Sequence, residues 1–127
     1  MSAEFAGLHV VVTGATGELG EAVARHLVGA GATVHLPVRT PDKARALYAG
    51  AGGRVRCVAV SDLGDEAAVA AFYAGLPPIW ASIHCAGGFA MSRIDDTTLG
   101  ELETMLDINA ASAFLCSREA GGRSPTP

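Results

Sequence analysis

Three glycines, Gly14, Gly17 and Gly20, have the spacing that most directly suggests chemistry. They fall in Thr13-Gly14-Ala15-Thr16-Gly17-Glu18-Leu19-Gly20, between a short β-branched run and a segment of helical periodicity. A glycine at 14 permits a tight turn, and one at 17 lets the backbone approach a pyrophosphate. One at 20 lets the following helix pack close to the strand. The helix that opens there offers unpaired N–H groups and positive partial charge to phosphate oxygens. A triphosphate loop ending in Gly-Lys-Ser/Thr is excluded, because Glu21 follows Gly20.

The elements that must hold this turn alternate strand with helix. Residues 8–12 read as a buried strand, and 18–28 as a helix with Leu19, Ala22, Val23, His26 and Leu27 at helical spacing, ended by Gly29 and Gly31. A second strand is expected at 33–38. Thr40-Pro41-Asp42 then opens a helix with a capping hydroxyl, proline at its first position and acid in its first turn. Further strands are expected at 55–60 and 79–85, and helices at 65–74 and 99–119. Four β-α units predict an α/β, Rossmann-type doubly wound parallel sheet in the order 3-2-1-4. Residues 1–120 form one domain in this reading. Residues 121–127, rich in glycine and proline, form a loose tail.

Composition narrows the function classes. The chain has 127 residues, 50% of them hydrophobic and 17% charged, which excludes disorder by composition. The net charge is −4, and Arg54 with Arg56 is the longest basic cluster, so a nucleic-acid partner is not expected. Cys57, Cys85 and Cys116 form no Cys-x-x-Cys pair and read as free thiols in a reducing, cytoplasmic setting. No stretch reads as a signal peptide or a membrane span. His9, His26, His35 and His84 lack ligand spacing, so no metal site is expected.

The segment from Thr13-Gly14 through Leu19-Gly20 resembles the cofactor loop of the short-chain dehydrogenase/reductase family, and three further matches follow in order. Asp62-Leu63 resembles the acid-plus-aliphatic pair that contacts adenine in that family. Ala86-Gly87 resembles the end of its Asn-Asn-Ala-Gly motif. Asp107-Ile108-Asn109 resembles its Asp-x-Asn segment, whose asparagine belongs to the catalytic tetrad. The resemblance thus implies a cofactor site of Gly14, Thr16, Gly17, Glu18, Leu19, Gly20, Asp62, Leu63, Cys85, Ala86 and Gly87, with Asn109 as the tetrad asparagine. There are two departures. Glu18 stands where many members have glycine, and His84-Cys85 replaces two asparagines that brace the backbone.

At the end of the second strand a dinucleotide-binding unit for NAD carries an acid that binds the ribose hydroxyls. Here the strand ends Pro37-Val38-Arg39-Thr40. The planar fork of Arg39 suits a phosphate, so NADP(H) is expected in preference to NAD(H), with Thr40 and Lys43 as helpers. The resemblance also implies hydride transfer between nicotinamide and a small carbonyl or alcohol, using a serine and a Tyr-x-x-x-Lys pair. The only lysine is Lys43, preceded four residues earlier by Arg39, so that pair is absent. The expectation is a truncated, cofactor-binding portion of a reductase, inactive alone. The alternative is a non-catalytic or redox-sensing dinucleotide module completed by a partner. An apolar strand at 79–85 and the apolar residues Leu102, Met105, Leu106, Ile108, Ala113, Phe114 and Leu115 predict association into a homo-oligomer.

Overall fold

The computed structural model describes residues 3–123. Four parallel strands, β1 (His9–Thr13), β2 (Thr33–Val38), β3 (Val55–Ala59) and β4 (Ala81–His84), lie in the order β3-β2-β1-β4. That is the topology predicted from the alternating pattern. Val10 lies beside Val34 of β2 and Ala81 of β4. The central strand is therefore paired on both sides, and Val10, Val11 and Val12 are wholly buried.

The two-residue period of β1 divides the core between the faces of the sheet. Val10 and Val12 pack with Leu36 and Val38 under α1 (Glu18–Gly29) and α2 (Pro41–Leu47). Val11 faces the other way, onto Val69, Phe72 and Tyr73 of α3 (Glu66–Ala74) and Leu115 and Cys116 of α5 (Ser112–Gly121). A shorter helix, α4 (Leu99–Leu106), precedes α5 and buries none of its residues.

Several local expectations need correction. The stripe expected to bury α1 is rotated: Gly20, Ala24, Leu27 and Val28 face the sheet, whereas Leu19 is 67% exposed and His26 is exposed. The close approach is made through Gly20, which turns Leu19 outward. Gly29 belongs to α1, and the left-handed residue after the helix is Gly31 at φ +99°. Thr40 occupies the N-cap of α2, but its hydroxyl makes no capping bond. Its position before Pro41 restrains its backbone. Helix 99–119 is in fact two helices joined by a π turn over Asp107–Ala111. Leu115, expected on the uncovered surface, is buried against β1 and α3. Strand β4 is shorter than expected, and Ile79 lies before it, fully buried.

Of the tail expected at 121–127, Gly121 closes α5 and the carbonyl of Arg123 accepts a hydrogen bond from Ile79 N–H at 3.4 Å. Residues 124–127 lie outside the described residues. No helix among the described residues is long and apolar enough to cross a membrane.

Candidate functional site

The carboxyl ends of all four strands open into one cleft of about 570 Å³. This is where a parallel open sheet places a ligand, beside the strand at which the order reverses. The turn after β1 contributes Gly14, Thr16 and Gly17, and the end of β2 contributes Arg39 and Thr40. Asp62 and Leu63 follow β3, and Cys85, Ala86 and Gly87 follow β4. The cleft thus gathers ten of the expected positions. Glu18, Leu19 and Gly20 form the first turn of α1 beside it without lining it.

The glycine turn has little steric latitude. Gly14 sits at φ +71°, and a Cβ there would lie 2.5 Å from the carbonyl carbon of Cys85. A Cβ on Gly20 would stand 2.0 Å from the carbonyl oxygen of Gly14. That oxygen accepts from Gly17 N–H at 3.1 Å and so closes the turn. The first intrahelical bond of α1 is donated by Glu21 to Gly17, which leaves the N–H groups of Glu18, Leu19 and Gly20 as the open N-terminus of the helix. Thr13 ties this turn to the next: its carbonyl accepts from Cys85 N–H at 3.2 Å, and its hydroxyl from Ala86 N–H at 3.2 Å.

Charge is unevenly committed around the cleft. Arg25, Arg45, Arg93 and Arg118 each hold a carboxylate. Among the described residues, Arg39 and Lys43 hold none, and both line the cleft. The nearest acid in sequence, Asp42, pairs with Arg45 at 3.0 Å. Asp62 accepts from Gly64 N–H at 2.8 Å through one carboxylate oxygen, which shapes the bend after β3.

Asn109 is not among the cleft-lining residues. Its Oδ1 accepts from Gly88 N–H at 3.1 Å, and its Nδ2 donates to the carbonyls of Gly88 at 2.8 Å and Met105 at 3.0 Å. The side chain is a clamp on the backbone after β4, and it lies on the π turn, a feature common near functional sites. His84, beside Thr13 in register, does not line the cleft. Its Nε2 lies 2.8 Å from Ser82 Oγ, which is 2.7 Å from Tyr73 Oη, and its Nδ1 lies 3.4 Å from Ser117 Oγ. Burial pushes the imidazole pKa down and the Tyr73 pKa up. The histidine that replaces an asparagine thus braces β4 against α3 and α5.

Sequence reasoning missed Ala15, Pro37, Val38, Val60, Gly64, Ile108 and Ser112 in the cleft. Only their place beside strand ends could have signalled them. It also missed the capping box of α4, where Thr98 and Glu101 bond each other's backbone N–H groups at 3.1 Å. The Thr-x-x-Glu spacing was a readable sign.

Residues 8–121 match the short chain dehydrogenase family, and the chain belongs to it. A type I polyketide synthase of phenolphthiocerol synthesis from Mycobacterium tuberculosis, described as inactive, is 38% identical over 117 residues, which cover 83% of this chain and 7% of the synthase. A short-chain dehydrogenase of the glucose/ribitol type from Brucella melitensis superposes with a TM-score of 0.88 at 21% identity, covering 98% of this chain and 54% of that one. A serine dehydrogenase in complex with NADP+ gives 0.80 at 25% identity, covering 89% and 47%. The chain therefore spans under a tenth of the synthase and about half of the two solved dehydrogenases.

Proposed function

We propose that this chain is the NADP(H)-binding portion of a short-chain oxidoreductase and does not turn over substrate by itself. The observation that carries the cofactor assignment is the free pair of cations, Arg39 and Lys43, at the end of β2, while Asp42 is turned to Arg45. An NAD-selective site would need an acid at that place. A guanidinium fork matches a ribose 2′-phosphate. The serine dehydrogenase bound to NADP+ supports the same reading.

The residues present fit a dinucleotide. Gly14, Thr16 and Gly17 with the open N-terminus of α1 would hold the pyrophosphate, Arg39, Thr40 and Lys43 the 2′-phosphate, and Asp62 and Leu63 the adenine. Cys85, Ala86 and Gly87 form the cleft wall that would meet the nicotinamide ribose, and Asn109 positions that wall through Gly88. When bound, the nicotinamide supplies or accepts the hydride. Among the residues of this chain no tyrosine stands four before a lysine, so the pair that would supply the proton donor and the ribose anchor is absent from it. The small carbonyl or alcohol substrate enters only with that machinery supplied.

A binding-only module completed by a partner is favoured by one observation: both functional ends of the Asn109 amide are spent on backbone. The two readings part when the catalytic residues are supplied, since only the first then gives carbonyl reduction. The chain also associates with itself in this reading, through the open β4 edge and the exposed Phe89, Met91, Leu102, Leu106 and Phe114. Calorimetric titration with NADP+ and with NAD+ tests the cofactor assignment. Tighter binding of NADP+ is expected, and equal affinities overturn it.

A further inference from the structure

Tyr48 lies outside the cleft and is 3% exposed, yet it reaches the glycine turn. It caps the carboxyl end of α2, and its hydroxyl donates to the carbonyl of Ala15 at 2.5 Å across 33 residues of sequence. Burial, with Glu21 nearby, pushes the phenol up to about 12, so the hydroxyl keeps its proton and remains a donor. The ring is held in turn by Arg25. That guanidinium lies 5.1 Å over the ring, donates to Leu47 C=O at 2.8 Å and to Glu21 at 2.7 Å.

The consequence follows from peptide geometry. In a planar trans peptide the C=O and the next N–H point in opposite directions, and no peptide bond among the described residues is cis. Ala15 is 1% exposed, and its carbonyl is turned inward to Tyr48. The N–H of Thr16 must therefore point outward, on the side where Thr16 lines the cleft. Among the described residues that N–H has no protein partner, while the neighbouring Gly17 N–H is taken by Gly14.

We infer that Tyr48 is a positioning residue for phosphate binding: its hydroxyl orients the Ala15–Thr16 peptide so that a free N–H faces the pyrophosphate. The latch also joins the two arms of the cleft. Tyr48 caps the end of the helix that Arg39 and Thr40 precede and whose first turn holds Lys43, so the phosphate turn and the 2′-phosphate patch are held in fixed relation. This rests on the dinucleotide reading above, and the test separates the two.

Tyr48→Phe keeps the ring and removes the donor. NADP+ and 2′-AMP, which lacks the pyrophosphate, are titrated into both proteins, and exchange of the Gly17 amide is followed without ligand. Loss of one hydrogen bond predicts NADP+ binding weakened roughly fivefold, 2′-AMP binding unchanged, and Gly17 exchange accelerated by a similar factor. Unchanged NADP+ affinity, or an equal loss for both ligands, overturns the inference. A wild-type chain that binds neither ligand, with Gly17 exchange still accelerated in the variant, overturns the dinucleotide reading and supports the latch.

Discussion

The region around the glycine turn and the stretch that follows β4 are held together differently. Around the glycine turn the bonds join residues far apart in sequence: Tyr48 to Ala15 across 33 positions, Ala86 to Thr13 across 73, Arg25 to Leu47 across 22. Between residues 89 and 106 every side-chain hydrogen bond ends within five residues, as in Ser92 with Thr97, Arg93 with Asp95 and Thr98 with Glu101. The Asn109 clamp on Gly88 ties the start of that stretch to its end. Met91 and Ile94 are 87% and 90% exposed there. Long-range bonds and a buried core let the first region define its own shape. The second has local order and an apolar surface, which is the pattern of a surface that something else covers.

Glycine substitutions should break this contrast most sharply. Gly20→Ala places a methyl group 2.0 Å from backbone oxygen, where neither helix nor turn can yield, and should destabilise the fold by about 3 kcal/mol or more. Gly100→Ala in α4 meets nothing nearer than 3.8 Å and should be neutral or stabilise by up to about 1 kcal/mol. Urea denaturation of both variants is the check. Equal losses would erase the distinction between the two regions.

Acid should weaken the latched side through its central strands. His35, 2% exposed on β2, lies 2.9 Å from His9 of β1, with Arg56 of β3 beside it in register. Burial first, then the neighbouring His9 and Arg56, hold its pKa down at about 4, below the ordinary value of 6.5. The unfolded chain takes up the proton first, so this contribution is complete above pH 6.5 and is lost as the pH falls toward 4. The expected loss is on the order of 2 kcal/mol, discounted for partial solvent screening. Denaturation midpoints measured from pH 7 to 4 test it, and His35→Gln should flatten the profile. An unchanged slope in that variant would show that other groups are responsible.

The smallest effect on stability is expected on the exposed side. Leu102→Gln with Leu106→Gln should shift the folding free energy by less than about 0.5 kcal/mol, yet move the chain from an assembled to a monomeric species in sedimentation. Assembly that survives both changes would place the contact elsewhere.

Much of the fold was legible because a parallel sheet writes itself in short apolar runs. β2 at 33–38 agrees residue for residue, and the strand order followed from short right-handed connections. Gly14, Gly17 and Gly20 announced the turn through the demands of close approach. Tyr48 was not legible, since nothing local to position 48 points to a carbonyl 33 residues earlier. The buried face of α1 was misjudged because periodicity counts apolar residues, whereas contact here runs through Gly20 and Ala24. The Asn109 clamp was hidden for a related reason: the residue type suggests chemistry, but only the π turn and the path of Gly88 reveal that its amide is spent.

The central claim is that the arm carrying Arg39 reads a 2′-phosphate. Calorimetric titration of wild type and Arg39→Ala with NADP+ and NAD+ tests it most directly. Loss of a charge-assisted bond should cost about 1.5–3 kcal/mol for NADP+, or roughly 10- to 150-fold in affinity, with NAD+ binding unchanged. Equal weakening of both cofactors, or none for NADP+, would contradict the account.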